Sequence, residues 1–170
     1  MATLSALVAN GDLHKYDPEL PPNELELRTF LAFERVAKWV AETLPELERD
    51  LDAELTPQEA FDALMAIFCG GTVLAIPKNF HPMRPVGGDG NEQGIWELRT
   101  LDLRIFGWFP VKDVFIAVSA HTAKRVKDQG IYPGLVLEAV GFRNRLDLDE
   151  PKFIEGGDPH AVVSNCHYSA

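Results

Sequence analysis

GIWELRTLDLRIFGWFPVKDVFIAVSAH, residues 94–121, is the stretch whose reading decides the fold. Apolar and polar residues alternate along it, and turn-forming residues punctuate it. Three short antiparallel strands are expected, roughly Ile95 to Thr100, Leu103 to Phe109 and Val114 to Ala120. The turns fall at Leu101-Asp102 and over Pro110 to Asp113, which sets Arg99 opposite Arg104 and Phe109 opposite Val114. Successive strand residues point to opposite faces. One face then receives Trp96, Leu98, Leu103, Ile105, Phe109, Val114, Ile116 and Val118, and is expected to be core. The other receives Glu97, Arg99, Arg104, Phe106, Trp108, Phe115 and Ser119, with His121 just past the strand end. Like charges directly opposite repel, so the Arg99–Arg104 pair needs a counter-ion, either Glu97 or an anion from outside. The Leu-Asp turn lacks the Asn-Gly signature of a two-residue hairpin, which leaves a one-residue shift of register open.

The rest of the chain supplies what this meander packs against. At 170 residues one domain is expected, with room for a sizeable core. Net charge is −10, unevenly spread. Residues 1–70 carry fourteen acidic against five basic side chains, residues 71–130 six against eight, and residues 131–170 six against three. Such acidity repels nucleic acid at long range, although the meander region is the one part that is not acidic. Cys69 and Cys166 have no metal or disulfide-framework spacing, and a reducing cytoplasm is the simplest setting. No apolar run approaches a membrane span, and no signal-peptide pattern opens the chain.

In chain order, residues 1–22 carry Gly11, Pro18 and Pro21-Pro22 and read as an irregular arm over the domain or a partly disordered one, with a short edge strand at Met1 to Val8 as the alternative. A central domain follows at 23–146, and 147–170 read as a surface tail with Val162-Val163 on an edge. Asn23 with Glu26 resembles a capping box, and Phe30, Phe33, Ala37, Val40 and Leu44 give residues 24–44 a helical spacing. Thr56-Pro57-Gln58-Glu59 starts a second helix, with Phe61, Leu64, Met65 and Phe68 as its stripe and Gly70-Gly71 as its end. Thr72 to Ile76 reads as a strand and residues 77–93 as a Pro/Gly-rich loop. Its GGDG is followed by no Gly-Lys-Ser/Thr, which excludes a P-loop. Past the meander, His121 to Lys127 is a small basic cluster. Gly134 to Leu146 reads as a helix with Val136, Val140 and Leu146 inward and Arg143 and Arg145 outward.

Trp96-Glu97-Leu98-Arg99, Arg104-Ile105-Phe106, the VFIAV strand and the lysines after it form a pattern that resembles the RelE/ParE toxin superfamily, in particular its HigB branch and phage-derived relatives. The resemblance covers roughly Phe61 to Leu146, about half the chain. It implies an α+β fold with two N-terminal helices on a small antiparallel sheet whose concave face meets RNA. Family toxins cut messenger RNA on the ribosome. The RNA's own 2′-hydroxyl is the nucleophile, so no metal or other cofactor is implied. Arg104 matches the strand arginine that contacts phosphate, Arg99 and Glu97 the arginine and carboxylate of the WELR motif, and Lys124 and Lys127 the lysines after the last strand. Family toxins are typically basic, whereas this chain is acidic.

Two functions of different classes follow. The first is an mRNA endoribonuclease held in check by a helix-turn-helix antitoxin. Arg99, Arg104 and His121 are then the catalytic candidates. Lys124, Arg125, Lys127, Arg84, Trp108 and Phe106 are the RNA-binding candidates. Arginine forks suit a dianionic phosphorane, and histidine suits proton transfer near neutrality. The second keeps the fold without the chemistry: a protein-binding module gripping a partner through Phe106, Trp108 and Phe115. Metal binding by His14, His81, His121, His160 or Cys166-His167 lacks ligand spacing on any recognisable element.

Overall fold

A computed structural model describes residues 1–83 and 90–168. In chain order its elements are α1 (Leu4–Ala9), β1 (His14–Lys15), β2 (Thr29–Ala32) and α2 (Glu34–Lys38). A π-helical turn at Trp39–Thr43 and a 3-10 turn at Leu44–Glu46 extend α2. Then come α3 (Pro57–Gly70), β3 (Leu74–Ile76), β4 (Phe80–Pro82), β5 (Ile95–Arg99), β6 (Leu103–Val111), β7 (Val114–Thr122), α4 (Ala123–Gln129), α5 (Tyr132–Arg145), α6 (Pro159–Val162) and β8 (Cys166–Tyr168). The class is α+β. Six strands form one sheet in the order β1-β2-β7-β6-β5-β4, and β3 and β8 form a small parallel pair. The main sheet is antiparallel except where β2 runs parallel to β7, and it is larger than the small sheet expected.

The meander has the expected strands. Arg99 pairs with Arg104, and the first turn falls at Leu101-Asp102. The second turn is tighter than expected. β6 continues through Pro110 to Val111, which pairs with Val114 in place of Phe109. Lys112 and Asp113 make the turn, and Asp113 takes a left-handed φ of +66°, a conformation Asp tolerates better than most residues. Register slips around Gly107 and again beyond Trp108 also reassign the faces of β7. Phe115 joins the cluster of Trp96, Leu98, Ile105 and Phe109. Ile116 and Val118 join Phe106 and Trp108 instead. A Cβ on Gly107 would lie 2.0 Å from the Ile116 carbonyl oxygen, so only glycine fits this approach of β6 to β7.

On the first face the sheet meets α3. Thr56 Oγ1 accepts from Glu59 N–H and the Glu59 carboxylate accepts from Thr56 N–H, closing the capping box. Gly71 ends the helix at φ +79°. Phe61, Leu64, Met65 and Phe68 fill the core there with Phe30, Trp96 and Phe109. The helix expected over 24–44 forms only in its second half. Thr29–Ala32 is β2, and helix begins only at Glu34. Phe30 faces one core cluster and Leu31 the other, so this strand is apolar on both sides and lacks a period-two signature.

The second face is not open. α5, α4 and the arm cover it, contributing Leu135, Val136, Ala139, Val126, Leu7 and Leu13 to a second core with Ile95, Phe106, Trp108, Ile116 and Val118. Met1 to Val8 carries α1 rather than the edge strand expected there, and the arm's edge strand is β1, paired with β2. Arg143, expected outward, is buried. Its guanidinium lies 3.5 Å from the Phe153 ring centroid and donates to the Gln93 carbonyl. Burial pulls its pKa down to about 10.

The segment expected as a surface tail is structural. Val162 and Val163 sit in the first core, and Cys166–Tyr168 pairs with Leu74–Ile76. Arg28, fully buried, joins the two ends of the chain. Its guanidinium donates to the carbonyls of Ile67, Phe68 and Thr72 at the end of α3 and to those of Ser164 and Asn165. Asp113 lies 3.8 Å from its Nε.

Candidate functional site

Three neighbouring strands place the polar residues of the second face in one cluster. Arg104 on β6 pairs with Arg99 on β5 and with His121 on β7. Glu97 lies two residues before Arg99 on β5, opposite Phe106, which itself pairs with Ser119. The counter-ion to the arginine pair is Glu97. Its Oε1 is 3.5 Å from Arg99 Nη1 and 3.5 Å from Arg104 Nε. Arg104 Nη1 also donates to the carbonyls of Thr100 (2.6 Å) and Leu103 (2.8 Å). The cluster is closed to solvent at Glu97, Arg104 and Ser119, and half-open at Arg99 and His121.

The electrostatics push the acid and the base toward neutrality. Burial raises the Glu97 carboxyl above the usual carboxylate range, against the opposing charges of Arg104, Arg99 and Lys127. Burial lowers the His121 imidazole, helped by Arg125 and Arg35 and opposed by Glu138. Neither ring nitrogen of His121 has a hydrogen-bond partner, and neither has Ser119 Oγ or Arg104 Nε. Buried polar atoms without partners are uncommon in folded proteins and need a reason. Four of the six such atoms among the described residues fall on adjacent strands of this face, the other two being Asn91 Nδ2 and Trp96 Nε1. Such a set offers a base, an acid and a fixed positive charge, the groups a phosphoryl transfer uses.

The structure brings together Arg99, Arg104 and His121; the expected register set Ser119 opposite Arg104, and the tighter β6–β7 turn sets His121 there instead, with Ser119 two pairs nearer the turn on the same face. Arg125 and Lys127 lie on exposed positions of α4, close enough for their charges to act on His121 and Glu97 respectively. Lys124 lines a different hollow, shared with Lys127, Asp50, Asp52 and Asp128. Phe106 and Trp108, expected on an open face, are fully buried. Phe106 packs edge-on against Tyr132 of α5, and Trp108 Nε1 donates to the Lys152 carbonyl. Phe115 is buried on the opposite face. None of the three aromatics forms a surface for RNA or a partner in this conformation. Arg84 lies outside the described residues.

Among the described residues no group of His, Cys, Asp and Glu side chains is placed to hold a metal ion, and no helix is long and apolar enough to cross a membrane. Compared with protein-family models, curated proteins and solved structures, the chain matches none.

Proposed function

We propose that this protein is a RelE-like toxin of a toxin–antitoxin system, an endoribonuclease that cuts messenger RNA on the ribosome at the Glu97–Arg99–Arg104–His121 cluster. The observation that carries the reading is the cross-strand pairing of Arg104 with both Arg99 and His121, with Glu97 beside them. His121, held toward its neutral form, takes the proton of the attacking 2′-hydroxyl as the O2′–P bond forms. Glu97, held toward its protonated form, gives a proton to the 5′-oxygen as the P–O5′ bond breaks. Arg104 and Arg99 neutralise the phosphorane oxygens between these steps. The partners on this reading are the ribosome with its messenger and a cognate helix-turn-helix antitoxin.

The closed cluster must open for RNA to reach Arg104. The adjoining cover is α4, whose buried side chains are Ala123 and Val126, and whose first N–H donates to the Asp102 carbonyl at 2.7 Å. Re-exposing two small apolar side chains costs on the order of 2–4 kcal/mol.

Burial of Arg104 favours a second reading, a non-catalytic binding module of the same fold, whose gripping face is then not the buried Phe106, Trp108 and Phe115. Induced expression separates the two. Translation-dependent new 5′ ends on messenger RNA, lost in His121→Ala and Arg99→Ala, support the nuclease. Growth arrest with intact RNA supports the binding module, and absence of toxicity removes both toxin readings. Arg99 is partly exposed, so its variant keeps the fold and the comparison remains clean.

A further inference from the structure

Arg35 reaches from α2 to the strand that carries His121. The pairing of β6 with β7 passes from Phe106–Ser119 to Gly107–Ala117 and skips Val118, which is thus an extra residue on β7. Such a bulge re-aims the side chains beside it. Continued from the Trp108–Ile116 pair without that extra residue, the register would set Ala120 opposite Arg104. With it, His121 stands there. Arg35 Nε donates to the carbonyl of Val118 at 2.6 Å, a short bond because the donor is charged. Phe33 N–H, two residues earlier, donates to the neighbouring Ala117 carbonyl at 3.1 Å.

The other arm of the same fork points to α5. Arg35 Nη2 donates to Glu138 Oε1 at 2.7 Å, and the guanidinium lies 4.2 Å from the Phe142 ring centroid. A planar guanidinium serves a carbonyl and a carboxylate at once in fixed directions, which an ammonium does not. The charged groups around His121 are Arg104 on β6, Arg125 on α4, Arg35 on α2 and Glu138 on α5. Arg125 and Arg35 disfavour the imidazolium, beyond the effect of burial, and Glu138 favours it. The Arg35–Glu138 pair therefore holds the bulge in place and also acts on the charge of the imidazole.

We propose that Arg35 is a positioning residue for His121: it pins the Val118 bulge, which sets the imidazole opposite Arg104, to Glu138 of α5. The proposal rests on the reading of His121 as the base of the cleavage. Histidine titrations by NMR on the wild type, Arg35→Gln and Glu138→Gln test it without RNA. The His121 midpoint should rise in Arg35→Gln, which leaves Glu138 unopposed, and fall in Glu138→Gln, which leaves Arg35 unopposed. If the pair merely held α5 down, losing either partner would admit water and raise the midpoint in both. Arg35 and Glu138 expose 40% and 38% of their side chains, so both variants should fold, and unchanged circular dichroism verifies it. On programmed ribosomes, Arg35→Gln and Arg35→Lys, which keeps the charge without the fork, should cut messenger RNA about tenfold or more slowly, with KM for the ribosome unchanged. The proposal is overturned if the midpoint moves the same way in Arg35→Gln and Glu138→Gln, if it moves in neither, or if both Arg35 variants cut as fast as the wild type. A wild type that cuts nothing removes the nuclease reading, while the titrations still decide whether Arg35 places His121.

Discussion

His121 faces Arg104 across β7 and β6, and neither nitrogen of its imidazole has a hydrogen-bond partner. Burial lowers its pKa from 6.5. A base with a depressed folded pKa stabilises the fold above its unfolded value, and that stability is lost as pH falls toward the folded pKa. The wild type should therefore lose stability on acidification below 6.5 through this residue, and His121→Asn should lose less over the same window. Urea unfolding of both proteins across about pH 5 to 7 measures the difference. An imidazole titration by NMR with its midpoint at or above 6.5 would contradict it.

Glu97 has the opposite sign. Burial raises its folded pKa above 4.5 despite two neighbouring arginines. An acid raised on folding stabilises below its unfolded pKa, and this contribution fades as pH climbs through the folded value. Glu97→Gln removes that component, so the gap in stability between wild type and variant should narrow or reverse as pH rises above 4.5. Parallel chemical denaturation at several pH values reads it. Parallel curves for the two proteins would show that Glu97 ionises as freely in the fold as in the open chain.

Trp108 separates a core residue from a binding residue. It is fully buried, and its indole N–H donates to the Lys152 carbonyl at 2.9 Å. Trp108→Ala should cost about 3–5 kcal/mol, and Trp108→Phe, which mainly orphans the carbonyl, about 1–3 kcal/mol. Equilibrium unfolding in urea gives both numbers. A loss of only a few tenths of a kcal/mol would place Trp108 on an exposed face.

Gly107→Ala should be among the most damaging single-methyl additions. The new Cβ would sit 2.0 Å from a backbone oxygen of β7, and backbone cannot yield as a side-chain tip does. Overpacking of this kind costs about 3 kcal/mol or more, seen as a lowered thermal midpoint. Gly134→Ala, where a Cβ would meet nothing within 4 Å, is the matched control and should be nearly neutral.

Removing residues 159–170 should unfold the protein rather than trim it. The cut takes Val162 and Val163 from the core and the Ser164 and Asn165 carbonyls from Arg28. Arg28 keeps the Ile67, Phe68 and Thr72 carbonyls and Asp113, so the lost bonds to a charged group cost about 1.5–3 kcal/mol each, before the lost apolar contacts are counted. Loss of the folded circular dichroism signal on truncation is the expected outcome.

Where one face of an element is apolar and the other polar, the sequence was readable. The helix that starts at the Thr56 capping box is of this kind. The Arg99–Arg104 register came from its turn, although β5 and β6 are covered on both faces. Elsewhere, elements covered on both sides were misread. β2 carries apolar residues toward both cores, which imitates helical spacing. The slip around Gly107 turned Phe115, Ile116 and Val118 over, although a glycine inside a strand pattern is itself a sign of such a bulge. Arg99 opposite Arg104 follows from register alone; His121 does not, because the expected turn set Ser119 opposite Arg104 and the tighter turn moves His121 there. The cover over them does not, because it rests on long-range packing such as Arg143 on Phe153 and Arg35 between Val118 and Glu138. The tail was hidden because its few core residues come singly or in pairs, too sparse to show a period.

Arg28 has a bearing on how the chain is made. The carbonyl of Ser164 that it binds lies 136 residues further along. On a ribosome, residues up to Asn165 must emerge before that charge has all its partners. Until then Arg28 can reach the end of α3 and β2 can join β7, but the guanidinium lacks two of its carbonyls. Closure of this domain thus waits for residues 162–165, and a chain stalled before them remains open to proteases.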